Sequence, residues 1–580
     1  MKSSFKLTKA EIKSNIEALK KMMKTQKLEA FYVSSFDANL SEYTPLEDCH
    51  RFYFTGFTGS TADILVMADD KVRLYVDGRY FEQADLEIDK KEVEVVKCQA
   101  SPGMELLNDL KNLKLKKVGC ETERTPYQYY LKMQKACQVE LVSTSEIEKY
   151  VRFKHILSQN PVEFIPKKFR GADTKDKCKR VLDHSKHAYF TTAIDNVSWI
   201  SNCRGYHLIN LSSFVAKAIV TKERVYLFIQ PEIKISDEAL KQKELEFIPT
   251  PEAMFEKNLK KLQSTLKLQL VKVDSSLLST ADYKIAENVF GPSSLLEEAG
   301  GLYNYQSIKE ADELKEITRS FENSSRAVFN TIKWVKESIA AGEKVSEADI
   351  RSQTQTQYEK TGSRGHSFST IVGVGPNSSI IHYSAASPDV IAKKSDFILL
   401  DSGGYYDGGF STDTTRTFLA DSKTKADPKF IEIYTLVLKG LLRLQNSVFP
   451  ENAPGAVLDG FARQPIFQQG YNYNHGTGHG VGLHVHEPCV RIAPTSQIPM
   501  RAGQVVSIEP GIYIPGFGGV RLENIAVVEK HPKHKGFLCF RNLVWVGFEK
   551  NLIDNSLLNP EEKAWLKEYE ESCQKFGTQF

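Results

Sequence analysis

The chain has 580 residues, a length at which two to four domains are expected because a single hydrophobic core stops growing well below it. Apolar residues make up 41% and charged residues 26%, which leaves no room for a long disordered region. The net charge of +3 gives no reason to expect nucleic acid or an anionic membrane as a partner.

The N-terminus and the cysteines indicate the compartment. Residues 1 to 9 carry charges too early for the apolar core of a signal peptide, and no run of about 18 apolar residues occurs in the chain. The nine cysteines are scattered from Cys49 to Cys573 without a Cys-x-x-Cys pair, which fits free thiols better than a disulfide framework. We therefore expect a cytoplasmic protein.

The N-terminal region alternates helix and strand patterns. Residues 10–28 place apolar side chains at helical spacing among lysines and glutamates, and residues 30–34 predict a strand. Two further strands, at residues 62–67 and 72–76, are joined by a polar turn. Such alternation is typical of an α/β domain.

A similar pattern returns further along the chain. Residues 214–220 and 225–229 repeat the hairpin at an offset of 153 positions, with Ser213 against Ser60. Upstream of each hairpin an apolar segment ends at glycine, at Gly56 and at Gly205. Hairpins with charged turns are common, so chance similarity is the alternative, but the matched spacing on both sides favours a duplicated domain.

Interruptions of these patterns suggest where the domains end. Prolines and lysines break the periodicity near residues 161–176, and glycines do so near residues 291–301. We therefore predict three domains, at residues 1–165, 166–303 and 304–580.

The last part of the chain begins with helices and continues with short strands. Apolar residues from Leu314 to Ile339 lie on one face of a long helix that Gly342 would end, and Ser346 would cap the next helix. After residue 365, short apolar runs punctuated by glycine predict a curved, mostly antiparallel sheet; the runs are residues 397–400, 505–508 and 520–528.

Four carboxylates and a histidine lie in, beside or between these runs, within about 120 residues. Asp401 closes an apolar strand. Asp413 lies among threonines that favour a second strand, which would bring Asp413 to Asp401 across a hairpin. Glu509 ends a strand, Glu523 lies inside another, and His479 is in a glycine-rich segment. Buried carboxylates this close would repel one another by several kcal/mol, and divalent cations would neutralise them. The set predicts a dinuclear metal site.

Taken singly, each of these residues has an ordinary alternative role. An aspartate at a strand end is commonly a turn residue, and a histidine beside glycines is commonly a loop residue. A buried glutamate commonly pairs with arginine, and Arg416 or Arg521 could serve. The occurrence of all five in one segment favours the metal site.

The same segments resemble the pita-bread metallopeptidases, the family that contains methionine aminopeptidases, prolidases and aminopeptidases P. The matching motifs occur in the family's order at residues 380–383, 412–417, 475–482, 509–511 and 520–524. The resemblance implies five metal ligands: Asp401, Asp413, His479, Glu509 and Glu523.

The resemblance covers nearly the whole chain. Residues 52–59 and 77–81 resemble the first domain of the long, three-domain, cytosolic Xaa-Pro aminopeptidases in this family, and Trp199 with residues 204–205 resembles the second. Residues 553–566 resemble their C-terminus. The implied fold is α/β (α+β), with two related, creatinase-like N-terminal domains before a pita-bread catalytic domain.

The implied reaction is hydrolysis of the N-terminal Xaa-Pro bond by a metal-bridging hydroxide. Oxygen-rich ligation with one imidazole suits two divalent ions, Mn²⁺ first, with Co²⁺ or Zn²⁺ as alternatives. By resemblance, Glu509 is the general base, and His382 and His486 bind the substrate and the developing oxyanion. His475 lines the proline pocket, and Arg521 orients neighbouring carboxylates. The expected partners are peptides with proline in second position and a second copy in a homodimer, with no nucleic acid and no membrane.

Two departures from the family pattern are visible. The spacing from Asp401 to Asp413 is one residue longer than the family usually shows, so we predict a bulge in this hairpin. The segment after Gly482 is shorter than in the three-domain relatives. In that segment His484 lies two residues before His486, and on a strand both would face the same side. We assign the catalytic position to His486, with His484 as the alternative.

Two other functions stay open. A prolidase acting on Xaa-Pro dipeptides would need a basic residue to hold the dipeptide's carboxylate. A non-catalytic binding protein with the same fold would lack the metal ligands, whereas all five types are present here.

Overall fold

A computed structural model describes residues 6–99, 101–150 and 158–580 of the chain. The first five residues, on which part of the signal-peptide argument rests, lie outside the described residues. The chain forms two compact units. Unit 1 comprises Met1–Phe164, Ala172–Ile209 and Ser213–Leu302, and unit 2 comprises Ile165–Gly171, Asn210–Ser212 and Tyr303–Phe580. The domain boundaries at residues 165 and 303 stay predictions.

The first half of unit 1 is a six-stranded mixed sheet with helices. Its strands are β1 (Ala30–Val33), β2 (Asp63–Met67), β3 (Val72–Val76), β4 (Val93–Lys97), β5 (Lys117–Glu121) and β6 (Gln138–Val142). Its helices are α1 (Lys9–Thr25), α2 (His50–Thr55), α3 (Phe81–Glu87), α4 (Pro102–Asn112), α5 (Tyr127–Gln134) and α6 (Thr144–Glu148). The strand order is β4-β3-β2-β1-β5-β6, and the predicted hairpin is β2–β3.

The second half of unit 1 repeats this sheet. Its strands are β7 (Glu163–Phe164), β8 (His187–Thr191), β9 (Cys203–Arg204), β10 (Lys217–Thr221), β11 (Val225–Ile229), β12 (Leu245–Pro249), β13 (Leu270–Val273) and β14 (Leu295–Glu297). Its helices are α7 (Thr174–Val181), α8 (Ile194–Ser201), α9 (Asp237–Leu240), α10 (Phe255–Leu266) and α11 (Thr280–Phe290). The order β12-β11-β10-β8-β13-β14 matches the first sheet strand for strand, which confirms two related α/β domains.

The contact between the two sheets' domains is itself symmetric at the offset of 153 positions. Residues that follow β5 pair with the equivalent residues that follow β13, and each hydrogen bond has a counterpart with the domains exchanged. The bonds are Tyr127 N–H to Leu278 O (2.9 Å), Thr280 N–H to Thr125 O (2.9 Å), Gln128 N–H to Ser275 O (2.9 Å) and Ala281 N–H to Thr122 O (3.0 Å). This isologous pattern is what a two-fold contact between copies of one domain produces.

Unit 2 carries the helices and the antiparallel strands predicted for the C-terminal part. Its helices are α12 (Tyr303–Gln306), α13 (Ala311–Ala340), α14 (Glu347–Lys360), α15 (Pro428–Gln445), α16 (Gly455–Phe467) and α17 (Pro560–Phe576). As predicted, α13 ends just before Gly342, which has a positive φ, and Ser346 caps α14 through Asp349. None of the helices in the described ranges is long and apolar enough to cross a membrane.

Every named strand pair of unit 2 is antiparallel. The strands are β15 (Gly365–His366), β16 (Ile371–Val374), β17 (Phe397–Ser402), β18 (Gly404–Tyr405), β19 (Thr414–Leu419), β20 (Val448–Pro450), β21 (Gly478–Gly480), β22 (Glu487–Ile492), β23 (Val505–Ile508), β24 (Gly511–Ile514), β25 (Gly518–Arg521), β26 (Asn524–Lys530) and β27 (Phe537–Asn542). The largest sheet has the order β20-β27-β26-β23-β21-β22, and a second contains β16-β17-β19. Apolar side chains of α15 and α16 form one core with these strands.

One strand prediction in unit 2 is wrong. The apolar run at residues 520–528 was predicted as a single strand, but β25 ends at Arg521 and β26 begins at Asn524. Glu523 lies in the break, where its N–H donates to Thr415 O across 3.1 Å. The chain leaves one sheet and enters another at this point, so the carboxylate is presented between them.

Candidate metal centre

The two aspartates lie on the hairpin formed by β17 and β19. Asp401 pairs with Thr415, and Asp413 immediately precedes β19; both aspartates are buried. The predicted bulge is wrong, because the pairs Asp401–Thr415 and Tyr405–Ser411 keep one register. The additional residue is therefore taken up in the turn beyond Tyr405.

The two glutamates approach the hairpin from the large sheet. Glu509 follows the end of β23, as predicted, and its N–H donates to Thr477 O across 2.8 Å. Glu523 accepts a hydrogen bond from the Thr415 hydroxyl at 2.9 Å. Thr415 therefore ties Glu523 to the strand that carries the aspartates.

His479 lies in β21 and faces three of the carboxylates. Its Nε2 is 3.3 Å from Glu509 Oε1 and 3.6 Å from Asp413 Oδ2. Asp413, His479 and Glu523 offer ligand atoms that all lie within 4.8 Å of one another. The close approach of β21 requires glycine at Gly478, since a Cβ there would lie 2.0 Å from Ser507 O.

The cluster is short of positive charge. Burial, followed by the charge of Glu523, raises the pKa of Asp413 well above its ordinary value. Burial, followed by the charge of Glu509, does the same to the pKa of Glu523. Burial raises the pKa of Glu509 to about 7, and Arg521 opposes that shift. The raised pKa values show that the folded site resists ionisation of these carboxyls, and bound cations would favour the ionised forms.

Two oxygens of the cluster also lack donors. Asp401 Oδ1 and Glu523 Oε1 are buried and have no hydrogen-bond partner among the described residues. A buried carboxylate oxygen without a donor is costly, and a bound cation would satisfy it. Four carboxylates with one imidazole are the donor set that hard or borderline divalent ions prefer, so these residues fit such ions.

Arg521 has the contacts predicted for a residue that orients carboxylates. Its Nη2 donates to Asp401 Oδ2 at 2.6 Å, and its Nε donates to the Thr415 hydroxyl at 3.1 Å. Its Nη1 donates to the Tyr513 hydroxyl at 2.8 Å. His475 Nε2 lies 3.0 Å from the same hydroxyl, so His475 joins the network through Tyr513.

Two residues of this network were missed in the sequence. Tyr513 connects His475 with Arg521, and Thr415 contacts both Glu523 and Arg521. Thr415 lies inside the motif at residues 412–417, where no role was assigned to it, and Tyr513 lies two residues after the motif at residues 509–511.

The other histidines lie in irregular segments near the cluster. The ring of His486 is 4.4 Å from that of His479, and its charge lowers the pKa of Glu509. The chain from residue 482 to 486 consists of bends, so the assumption of a strand there is wrong; the ring of His484 lies 6.2 Å from that of His486. His382 is half-buried in a turn, next to Ile381, whose carbonyl oxygen accepts from Arg521 Nη1 at 3.3 Å.

Comparison with family models assigns the parts of the chain. Residues 315–530 match metallopeptidase family M24, and residues 536–576 match the C-terminal region of peptidase_M24. Residues 15–154 and 154–313 match two models that are both described as creatinase/prolidase N-terminal domain.

Individual relatives match along almost the full length. A probable Xaa-Pro aminopeptidase P of Laccaria bicolor is 34% identical over 95% of this chain and 88% of its own, and one of Pyricularia oryzae is 31% identical over 95% and 93%. The crystal structure of an X-prolyl aminopeptidase from Caenorhabditis elegans, described as a cytosolic enzyme with a di-nuclear active site, superposes with a TM-score of 0.89 at 25% identity. The superposition covers 98% of this chain and 96% of the nematode enzyme's chain. The chain therefore belongs to metallopeptidase family M24 and, within it, to the Xaa-Pro aminopeptidases P.

Proposed function

We propose that this chain is a dinuclear-metal aminopeptidase that removes the N-terminal residue of peptides with proline in second position. The observation that carries the proposal is the convergence of four carboxylates and His479 with buried, unpaired oxygens. The names of the relatives support the substrate class, and the nematode enzyme's di-nuclear site supports two ions. Mn²⁺ is the first choice of metal because oxygen donors dominate the set.

The metal ligands would be the five predicted residues: Asp401, Asp413, His479, Glu509 and Glu523. When bound, two divalent ions supply a water that is acidic enough to act as nucleophile near pH 7 and polarise the scissile carbonyl. Asp401 is held for this task by its short ion pair with Arg521. Thr415 fixes Glu523 in the same way through a hydrogen bond.

The proton and the developing charge are handled by side chains around the ligands. Glu509 takes the proton of the attacking water, a role suited to a carboxylate at the edge of the cluster with 18% of its side chain exposed. His486 and His382 hydrogen-bond the substrate and the oxyanion. His475 lines the proline pocket, with its Nε2 oriented by the Tyr513 hydroxyl.

Proline in second position explains why a dedicated enzyme is needed. The proline nitrogen carries no hydrogen and its ring fixes φ, so a general aminopeptidase site that relies on that N–H and on an extended backbone handles the bond poorly. We propose that the N-terminal domains, divided at residues 165 and 303 as predicted, belong to this specialisation.

We also propose a cytoplasmic homodimer. Free cysteines at all nine positions suit a reducing compartment. The nematode relative, which is described as cytosolic, supports the same location. We place the dimer contact on α16, where the apolar side chains of Val457, Phe461 and Phe467 are exposed.

The proposed activity is tested by replacing the general base. Glu509→Ala should abolish release of arginine from an Arg-Pro-Pro peptide, while Glu359→Ala, at an exposed position on α14, should retain it. Full activity of the Glu509 variant would refute the assignment. Assaying Gly-Pro beside the tripeptide separates a prolidase, which would prefer the dipeptide. Purified protein that binds no metal would indicate a binding protein instead.

A further inference from the structure

Glu347 is a fully buried carboxylate outside the metal centre. It is the first residue of α14, and each of its two oxygens accepts two hydrogen bonds from the segment at residues 374–387, which begins at the end of β16. Oε1 accepts from Val374 N–H at 3.0 Å and from Asn377 Nδ2 at 2.9 Å. Oε2 accepts from the Tyr383 hydroxyl at 2.9 Å and from Ser387 N–H at 3.0 Å. All four donors are neutral groups. The carboxylate therefore acts only as a hydrogen-bond acceptor, and it holds residues 374–387 together.

The segment that Glu347 holds, residues 374–387, contains His382. The four donors lie at residues 374–387, on both sides of the histidine, and Tyr383 is its immediate neighbour. Burial and the charge of Glu347 raise the pKa of Tyr383, so its hydroxyl stays protonated and continues to donate. Residues 380–387 have no strand pairing, so the hydrogen bonds of Tyr383 and Ser387 to Glu347 help to fix the segment that carries His382.

A second buried carboxylate has the same relation to the other histidine. Glu487 directly follows His486 and is almost fully buried. Its Oε1 accepts from Gln306 Nε2 at 3.0 Å, and its Oε2 forms a close ion pair with Lys309 Nζ. Lys309 also donates to Gln306 O at 2.9 Å, so the ammonium group is held from two sides. A buried ion pair is a poor source of net stability but a strong constraint on geometry.

Glycines of the motif around His479 make room for this carboxylate. A Cβ at Gly482 would lie 2.1 Å from Glu487 Oε1, and a Cβ at Gly480 would lie 2.4 Å from Glu487 O. Gly480 also pairs with Glu487 between β21 and β22. The segment that supplies His479 is therefore shaped to accept the residue next to His486.

We propose that Glu347 and Glu487 are positioning residues, each acting through one histidine: Glu347 through His382 and Glu487 through His486. The inference rests on the proposed function, because the two histidines act on the substrate there. A displacement of about 1 Å at a group that stabilises a transition state costs roughly 100-fold in rate. The supporting contacts would therefore influence the rate, although neither carboxylate belongs to the proposed metal ligands or substrate-binding residues.

Crossed double-mutant cycles test this division of roles. With Arg-Pro-Pro and saturating Mn²⁺, Glu347→Gln should lower kcat by roughly 10- to 100-fold, because an amide nitrogen cannot accept from the loop donors. In the His382→Ala background the same change should cause no further loss, while in the His486→Ala background it should keep its full effect. Glu487→Gln should give the opposite pattern.

Controls separate positioning from folding and from metal binding. Glu359→Gln, at an exposed position of the same helix as Glu347, should leave kcat unchanged. Bound Mn²⁺ per chain should stay at the wild-type value in both glutamine variants. If a glutamine variant does not fold, Tyr383→Phe and Gln306→Met remove single donors and should show the same crossed pattern.

The outcomes are distinguishable from failure of the proposed function. Equal losses in both histidine backgrounds, or loss of bound Mn²⁺, would overturn the positioning roles while wild-type activity stands. Wild-type protein that does not cleave Arg-Pro-Pro would instead overturn the function itself.

Discussion

The charge deficit of the cluster predicts an inverted effect of one substitution with and without metal. Burial raises the pKa of Glu509 from its ordinary value of 4.5 to about 7 in the metal-free protein. The Glu509 carboxyl therefore binds a proton more tightly in the folded state than in the unfolded chain. The stabilisation from this proton is complete below about pH 4.5 and is lost as the pH rises toward 7. The difference of about 2.5 pKa units corresponds to roughly 3 kcal/mol at pH 8.

Glu509→Gln removes this penalty without changing the size of the side chain. In metal-free protein the variant should equal the wild type at pH 4.5 and exceed it by roughly 3 kcal/mol at pH 8, or about 6 °C in the unfolding midpoint of a unit of this size. With Mn²⁺ the order should reverse at pH 8, because two filled sites at 100 times Kd stabilise the wild type by roughly 5 kcal/mol, twice about 2.7, which exceeds the roughly 3 kcal/mol advantage of a variant that has lost the shared ligand. Calorimetry of both proteins, with chelator and with Mn²⁺, measures the four values. A variant that is no more stable than wild-type protein in chelator at pH 8 would refute the reasoning.

Three further predictions follow from the same contacts. Arg521→Met leaves the buried carboxylate of Asp401 without its ion-pair partner and should lower the free energy of unfolding by about 3–5 kcal/mol, or about 6–10 °C in the calorimetric midpoint. Arg541→Met breaks only a half-exposed ion pair and should cost under about 1 kcal/mol. Equal costs would contradict the importance of the buried pair. His486→Ala should lower kcat on Arg-Pro-Pro by roughly 100-fold and His484→Ala by no more than a few-fold, and the opposite order would move the catalytic role to His484. Phe467→Asp should convert a dimer to a monomer in analytical ultracentrifugation, and a dimer that persists would exclude the α16 surface.

Local patterns in the sequence were sufficient for much of the fold. The hairpins β2–β3 and β10–β11 were predictable because strand alternation and a polar turn lie within a few residues of each other. Duplication was predictable from a fixed offset. The pairing of residues after β5 with their equivalents after β13 was not, since nothing local marks a surface that meets its own copy.

The candidate site shows the same division between local and distant causes. The hairpin that brings Asp401 near Asp413 follows from sequence, whereas the break at Glu523 does not, because the apolar pattern runs through it. The contact that accompanies the break comes from Thr415, 108 residues away. Spacing alone could not separate His484 from His486, since the bends around them have no fixed periodicity.

Titration of metal-free protein with Mn²⁺, with peptide cleavage as the readout, tests the central claim most directly. Release of the first residue from Arg-Pro-Pro and from Arg-Ala-Pro would be followed at increasing ratios of Mn²⁺ to chain. We predict cleavage of the proline peptide that saturates at two ions per chain, with at least 100-fold slower cleavage of the alanine peptide. Saturation at one ion, or equal cleavage of both peptides, would contradict a dinuclear Xaa-Pro aminopeptidase.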